Sequence, residues 1–241
     1  MLGTRQKLNK VGPISLNVGN TQIFPSTEAK NLGFIFDSQL TFKKQINNIT
    51  KKSFVQLRRI KQLRKYLSDT TTATLIHALI TSNLDYCNAC YINLPKNQMN
   101  KLQKIQNTAA RLVSGIPKHH HITPTLKKLH WLLIKQRIIY KLLILTYKCL
   151  NGTAPQYLNN MINKYTQTRT LRSQTKQLLQ VPAIKTKTLG NRSFYFSAPK
   201  IWNALPVNLR SSPSINIFKN NLKTFLYECV FDECVCDSIF R

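Results

Sequence analysis

Phe42–Leu67, FKKQINNITKKSFVQLRRIKQLRKYL, is the stretch on which the reading of this chain turns. On a wheel of about 100° per residue, Phe42, Ile46, Ile49, Leu57, Ile60, Leu63 and Leu67 gather on one side. Lys43, Lys44, Lys51, Lys52, Arg58, Arg59, Lys61 and Lys65 gather on the other, with Arg64 as the one misfit. Asp37 or Ser38 precedes the run as a capping side chain. Apolar residues at helical period, with no acid opposite them, predict an amphipathic helix to about Leu67 that buries one flank and offers cations on the other.

Working outward, the rest of the chain reads mainly as helix. Ser68 or Asp69 caps a second helix to about Tyr91, with Leu75, Leu79 and Ile80 facing inward, and Leu94-Pro95 breaks it. A third runs from about Asn97 to Val113 over Met99, Leu102, Ile105, Ala109 and Leu112; Ser114-Gly115-Ile116-Pro117 stops it. Thr123-Pro124 opens another, with proline at the first turn. Ile134–Leu150 is apolar nearly all round and closes at Asn151-Gly152. Its Arg137, Lys141 and Lys148 fall on one narrow stripe, which is either a thin basic line or three side chains snorkelling at a solvent edge. Beyond Tyr165 the pattern weakens. A strand is expected at Leu178–Val181 within the polar, basic stretch Thr166–Arg192, and closing helices at Ser193–Ala204 and Ile215–Tyr227. Upstream, Ile14–Val18 and Thr21–Phe24 flank Gly19-Asn20 as a hairpin, and Leu32–Phe36 makes a third short strand. The expected fold class is mainly α, a helical bundle preceded by a short β-hairpin and strand. Three strands alone make a poor sheet, so they lie on the helices or on something missing.

Charge narrows the function. The 241 residues carry 36 Lys and Arg against 8 Asp and Glu, a formal charge of +28. Glu28, Asp37, Asp69 and Asp85 are the only acids before Glu228. From Tyr86 to Tyr227 there is no carboxylate against 22 Lys and Arg. Ordinary solvated surfaces mix signs, because like charges at helical spacing repel. A long one-signed stretch fits an external polyanion, most simply nucleic acid; the plain alternative is a merely soluble basic surface. A hydrophobic content of 42% excludes wholesale disorder. The greasiest run, Ile138–Leu150, is cut by Lys141 and Lys148, so no membrane span and no membrane partner are expected. Met1–Lys10 has no apolar stretch and reads as no secretory signal. Six cysteines in such a chain read as reduced thiols of an intracellular protein, with nothing to choose between nucleus and cytoplasm.

Several chemistries find no support in the residues. Polymerases and nucleases hold metal ions with clustered carboxylates, and four scattered acids with no Asp-Asp pair do not supply them. Asp232-Glu233 sits in a terminal tail, a poor rigid scaffold. Cys87-x-x-Cys90 has zinc-ligand spacing, with His119, His120, His121 and His130 downstream. Both cysteines, however, fall inside the expected second helix, and the gap to the histidines fits no compact finger, so they read as buried structural thiols. No G-x-S-x-G elbow and no phosphate loop is present. The chain does not read as an enzyme on its own; no catalytic residue, metal site or cofactor is expected.

An ordered series of segments carries a family resemblance. These are Leu32-Gly33-Phe34-Ile35-Phe36-Asp37 with Leu40-Thr41-Phe42; Leu84-Asp85-Tyr86-Cys87-Asn88-Ala89; and Leu102-Gln103-Lys104-Ile105-Gln106-Asn107-Thr108-Ala109-Ala110-Arg111-Leu112. Ile122-Thr123-Pro124, Leu129-His130-Trp131-Leu132, Ala154-Pro155-Gln156-Tyr157-Leu158 and Leu171-Arg172-Ser173 follow. Ala198-Pro199-Lys200-Ile201-Trp202-Asn203-Ala204-Leu205-Pro206 and Phe218-Lys219 with Leu222-Lys223 complete it. In this order they resemble the C-terminal part of LINE-type, non-LTR retrotransposon reverse transcriptases of the jockey-like and chicken-repeat-like group. Cys90 and Leu133 depart from that pattern, where an aliphatic residue and proline are common.

The resemblance implies residual palm strands over 1–37, a thumb-like helical region over 38–115, a C-terminal helical extension over 116–227 and an acidic, cysteine-containing tail over 228–241. It implies a chain that starts after the palm's catalytic Asp-Asp motif and lacks the family's endonuclease, as a 5′-truncated copy of such an element would. No catalytic residue carries over. The expected partner is the backbone of RNA, an RNA–DNA hybrid or DNA, gripped without sequence preference. The helix bearing Lys43, Lys44, Lys51, Lys52, Arg58, Arg59, Lys61 and Lys65 suits that task, and Lys101, Lys104 and Arg111 extend the track along the third helix. Trp131 and Trp202 either stack on bases or belong to the core, and their apolar context favours the core. The face left by a missing palm implies a homo-oligomer or a protein-interaction module as the alternative; a relic without function is the third reading.

Overall fold

A computed structural model describes residues 2–12, 14–165 and 177–231. The fold is mainly α with two small antiparallel hairpins at its start. Strands β1 (Leu16–Val18) and β2 (Thr21–Ile23) pair about Gly19-Asn20, as the turn signal predicts. Strands β3 (Glu28–Asn31) and β4 (Phe34–Asp37) form the second hairpin, with Asn31 opposite Phe34. Leu32–Phe36 is therefore not one strand. Leu32 and Gly33 both take positive φ, 47° and 84°, and make the two-residue turn. That turn type needs positive φ at both central positions, which glycine tolerates and leucine does not favour. Leu32 ends 86% exposed at the tip.

The helix read from Phe42–Leu67 is α1 (Lys43–Leu63), followed by a 3₁₀ turn at Arg64–Tyr66. Its first residues are organised one turn upstream. The Asp37 carboxylate accepts from the Thr41 and Phe42 backbone N–H groups at 2.8 and 2.7 Å, which holds Phe42 in a left-handed conformation at the cap. Phe42, Ile46, Ile49, Leu57 and Ile60 are buried, as their period requires, but Leu63 is exposed. On the wheel it is Arg64 that stands within the apolar arc, and its guanidinium takes the inward place.

Helix α2 (Asp69–Ile76) starts at a Ser68 cap, whose Oγ accepts from Thr71 N–H at 3.1 Å. It runs through a π turn at His77–Thr81 into Ser82–Asp85. The wider turn brings Thr72, Ile76, Ile80 and Leu84 onto the buried line, so Leu79 turns outward and Leu75 is half-buried. The helix stops at Asp85, short of the expected Tyr91. Tyr86 is extended, Cys87 is left-handed at φ 51°, and a 3₁₀ turn follows at Asn88–Tyr91. Cys87 and Cys90 are exposed free thiols on this turn, and the expectation of buried thiols inside a helix is corrected accordingly. Cys229 is disulfide-bonded, which departs from an all-reduced chain. Cys234 and Cys236 lie outside the described residues.

Helix α3 (Lys96–Ser114) ends at Gly115, φ 64°, where the Ile116 N–H bonds Arg111 O. The short helix α4 (Thr123–Lys128) carries its proline in the first turn, and α5 (Ile134–Leu150) is the central pillar. Two glutamines of α3 hold the start of α5: Gln103 Oε1 accepts from Ile134 N–H at 3.0 Å, and Gln106 Nε2 donates to Leu132 O at 2.7 Å. The first satisfies an N–H that a helix start leaves orphaned, and the second pairs a carbonyl just ahead of the helix. On the far side α6 (Phe194–Asn203) and α7 (Ile215–Phe231) pack against α5. Tyr147 stacks on Phe218 at 4.5 Å and donates its hydroxyl to Ser212 O at 2.9 Å. The strand expected at Leu178–Val181 reduces to one bridge, Lys164 with Leu179.

One hydrophobic core runs from Phe34 to Cys229. At its N-terminal end Phe34 lies 4.8 Å from Phe36, 5.5 Å from Phe42 and 5.8 Å from Tyr91, ring centre to ring centre, so β4 is anchored on the helices. Burial of side chains this size contributes on the order of 1.5–3 kcal/mol each. Trp131 and Trp202 are core residues, and Trp202 Nε1 donates to Gln177 O at 3.1 Å. No helix among the described residues is long and apolar enough to cross a membrane.

Candidate nucleic-acid interface

The buried arc of α1 fixes what its other side presents. Lys43, Lys44, Lys51, Lys52, Arg58, Arg59, Lys61 and Lys65 all stand exposed, opposite Ile46, Ile49, Leu57 and Ile60. They recur as dyads (43–44, 51–52, 58–59) about two helical turns, or ~11 Å, apart. Lys65 Nζ sits 4.7 Å over the ring of Tyr66, itself exposed. From Lys43 to Lys65 the cationic side extends roughly 33 Å.

The acids of the body are held in other roles. Glu28 pairs with Lys44, Asp69 with Arg64, and Asp85 with Arg137. Asp37 spends its oxygens on Thr41 and Phe42. Partial burial alone would raise the Asp37 carboxyl, but the donors from Thr41 and Phe42 outweigh it, and its pKa lies below the ordinary 3.8. Of these eight cations, seven on α1 and Lys65 on the turn after it, only Lys44 meets one of these carboxylates.

Helix α3 lies beside α1 and runs the same way. Lys101 Nζ donates to Asn47 Oδ1 at 2.8 Å near the start of both helices, and Arg64 reaches Leu112 and Val113 near their ends. Asn47 shares its face with Lys43, Lys44 and Lys51, its neighbours three and four residues away, so Lys101 joins the cationic side there. Lys104 is exposed one turn on. Arg111 is half-buried and donates Nη2 to His120 O at 3.2 Å, which draws it into the fold. Of the three α3 cations, Lys104 is exposed, Lys101 is half-buried beside Asn47, and Arg111 is turned toward His120.

Of the α5 stripe, Arg137 is engaged with Asp85, Nε to Oδ1 at 2.9 Å and Nη2 to Oδ2; Lys141 is exposed and Lys148 half-buried. Two features escape sequence reasoning. One is Arg64, the wheel misfit, whose position inside an apolar arc was itself the signal. The other is the group His77, Asp85, Asn88 and Arg137, brought together by a π turn and a left-handed cysteine that no local pattern announces. No cluster of three or more His, Cys, Asp or Glu able to hold a metal occurs among the described residues.

No protein-family model, curated protein or solved structure matches the chain.

Proposed function

We propose that the chain is the thumb and C-terminal extension of a non-LTR retrotransposon reverse transcriptase, without the catalytic palm motif, and that it binds RNA, RNA–DNA hybrid or DNA backbone without sequence preference. The observation that carries the reading is the exposed cationic side of α1, on which one cation of the eight, Lys44, is paired with a carboxylate, Glu28. Phosphates arrayed along a nucleic-acid backbone complement such a surface, and their neutralisation releases counterions. By itself the chain performs no polymerisation in this reading.

The test is anisotropy of a labelled RNA–DNA hybrid titrated with the folded protein across a salt series, with unrelated sequences as competitors. Affinity falling linearly on a log–log salt plot, with equal competition by all sequences, supports the reading. Absence of binding by a protein folded by circular dichroism removes it.

A second reading rests on a separate observation. Leu16, Val18, Ile23 and Phe24 are exposed on and just after the first hairpin, and Leu32 at the tip of the second. Exposed apolar groups at that end suit an interaction or oligomerisation module. Size-exclusion chromatography yielding a monomer with no dye-binding apolar surface would count against it.

A further inference from the structure

The bend beyond Asp85 carries two thiols at close quarters. Tyr86 is extended, Cys87 takes a left-handed conformation at φ 51°, and the 3₁₀ turn Asn88–Tyr91 begins at once. The Cys90 N–H donates to the Cys87 carbonyl oxygen at 3.1 Å, which closes a tight turn from one cysteine to the other. Such a turn holds its first and last Cα atoms under about 7 Å apart, which overlaps the roughly 4.4–6.8 Å that a disulfide spans. Both thiols are free and exposed.

Their surroundings keep the two sulfurs near each other and the turn in place. Desolvation, and then charge on Cys87, raise the Cys90 pKa, so each sulfur lies within electrostatic reach of the other. Burial raises the Tyr91 hydroxyl, and charge on Cys90 and on Cys87 adds to it, so that one oxygen feels both sulfurs. Ahead of the turn Asp85 is held by Arg137, and Tyr86 donates its hydroxyl to Leu32 O. Behind it the Tyr91 ring packs on Phe34 and Phe42. An anchored turn has little conformational freedom left to lose when a bond joins its ends.

We infer that Cys87 and Cys90 form a redox-active dithiol that exchanges with an anionic low-molecular-weight disulfide such as oxidised glutathione. The Cys87 thiolate attacks one sulfur of the reagent, whose S–S bond breaks; a mixed disulfide forms and one thiolate leaves. Cys90, deprotonated in its turn, attacks the Cys87 sulfur; the mixed bond breaks, the Cys87–Cys90 bond forms and the second thiolate leaves. Two electrons pass from the cysteine sulfurs to the reagent, and the two protons the cysteines give up go to the released thiolates. The net charge of +28 favours approach of an anionic reagent. The inference is independent of the α1 surface.

Trypsin releases Tyr66–Lys96, a peptide that holds Cys87 and Cys90 and no other cysteine. The folded chain is equilibrated with mixtures of oxidised and reduced glutathione, then alkylated, digested and weighed by mass spectrometry. The expected wild-type peptide is two hydrogens lighter, unalkylated and free of glutathione; Cys90→Ser is expected to retain one glutathione on Cys87. In urea the pair closes with the mM-range effective concentration of a short flexible segment, and the folded turn should raise that by about tenfold. The squared reduced over oxidised glutathione ratio at half-oxidation should rise by the same factor. A wild-type peptide that stays reduced, one that accumulates the mixed disulfide as Cys90→Ser does, or a ratio unchanged by urea would overturn the inference. The wild-type readings decide it even where the variant folds poorly.

Discussion

Arg64 donates from Nε to the carbonyl oxygen of Leu112 at 2.9 Å, so the side chain that follows α1 closes the C-terminal end of α3. The same guanidinium reaches Val113 O at 3.0 Å and Leu67 O at 2.7 Å, and pairs with Asp69. Cations at helix C-termini are favourable, and a planar fork spans several carbonyls as a single ammonium does not. Arg64→Ala is expected to lower unfolding free energy by about 2–3 kcal/mol, and Arg64→Lys to recover less than half of that. Urea unfolding followed by circular dichroism measures both; an unshifted midpoint for Arg64→Ala would show that the cap contributes nothing.

Charge reversal on α1 separates binding from folding. Lys51, Lys52, Arg58 and Arg59 are exposed and meet none of the body's acids. Replacing all four with Glu is expected to leave the unfolding midpoint within a few degrees of wild type. The same variant should flatten the salt dependence of hybrid binding, by about 0.9 in slope for each phosphate no longer neutralised on duplex or 0.7 on single strands. An unchanged slope would remove α1 from the interface.

Asp37 gives a pH signature. Its folded pKa lies below 3.8, so the carboxylate's contribution is complete above about pH 3.8 and is lost as pH falls through the folded value. Asp37→Asn should therefore be less stable than wild type at neutral pH and converge with it in acid. Thermal melts at pH 7, 5 and 3 record the difference; a gap as wide at pH 3 as at pH 7 would contradict the assignment.

Arg210 carries a liability. It is only 6% exposed, its Nε and Nη1 have no hydrogen-bond partner, and burial lowers its pKa. Buried guanidinium donors that meet no acceptor cost free energy that an apolar side chain of similar length does not. Arg210→Met is expected to raise stability by about 1–3 kcal/mol, seen as a higher urea midpoint. A lower midpoint would mean that the guanidinium is satisfied in solution.

The elements with strong period were legible. The core side of α1, the extent of α3 and α5, both closing helices and the first hairpin follow from apolar spacing and from Gly and Pro stops. Legibility failed where a tertiary contact overrode local preference. Leu32 reads as strand, yet it sits in a left-handed turn because Glu28–Asn31 pairs with Phe34–Asp37, a pairing that no alternation in Glu28–Asn31 announces. Leu63 reads as core, yet Arg64 takes the inward place because carbonyls of a helix 48 residues away need donors. At the candidate interface the α1 cations were readable as a face; that Arg111 folds back onto His120 depends on a loop conformation that composition does not encode.

The π turn at His77–Thr81 amounts to one residue more than an unbroken α-helix would hold over the same span. Deleting one residue there would let the helix wind on regularly, and everything beyond would rotate by about 100°. Asp85 would swing away from Arg137, Asn88 would lose its hydrogen bond to Asp85, and two partly buried charges would be stranded. Length in this segment is thus under tighter constraint than side-chain identity: a conservative exchange inside the turn is tolerable, while a single-codon loss breaks the Asp85–Arg137 pair.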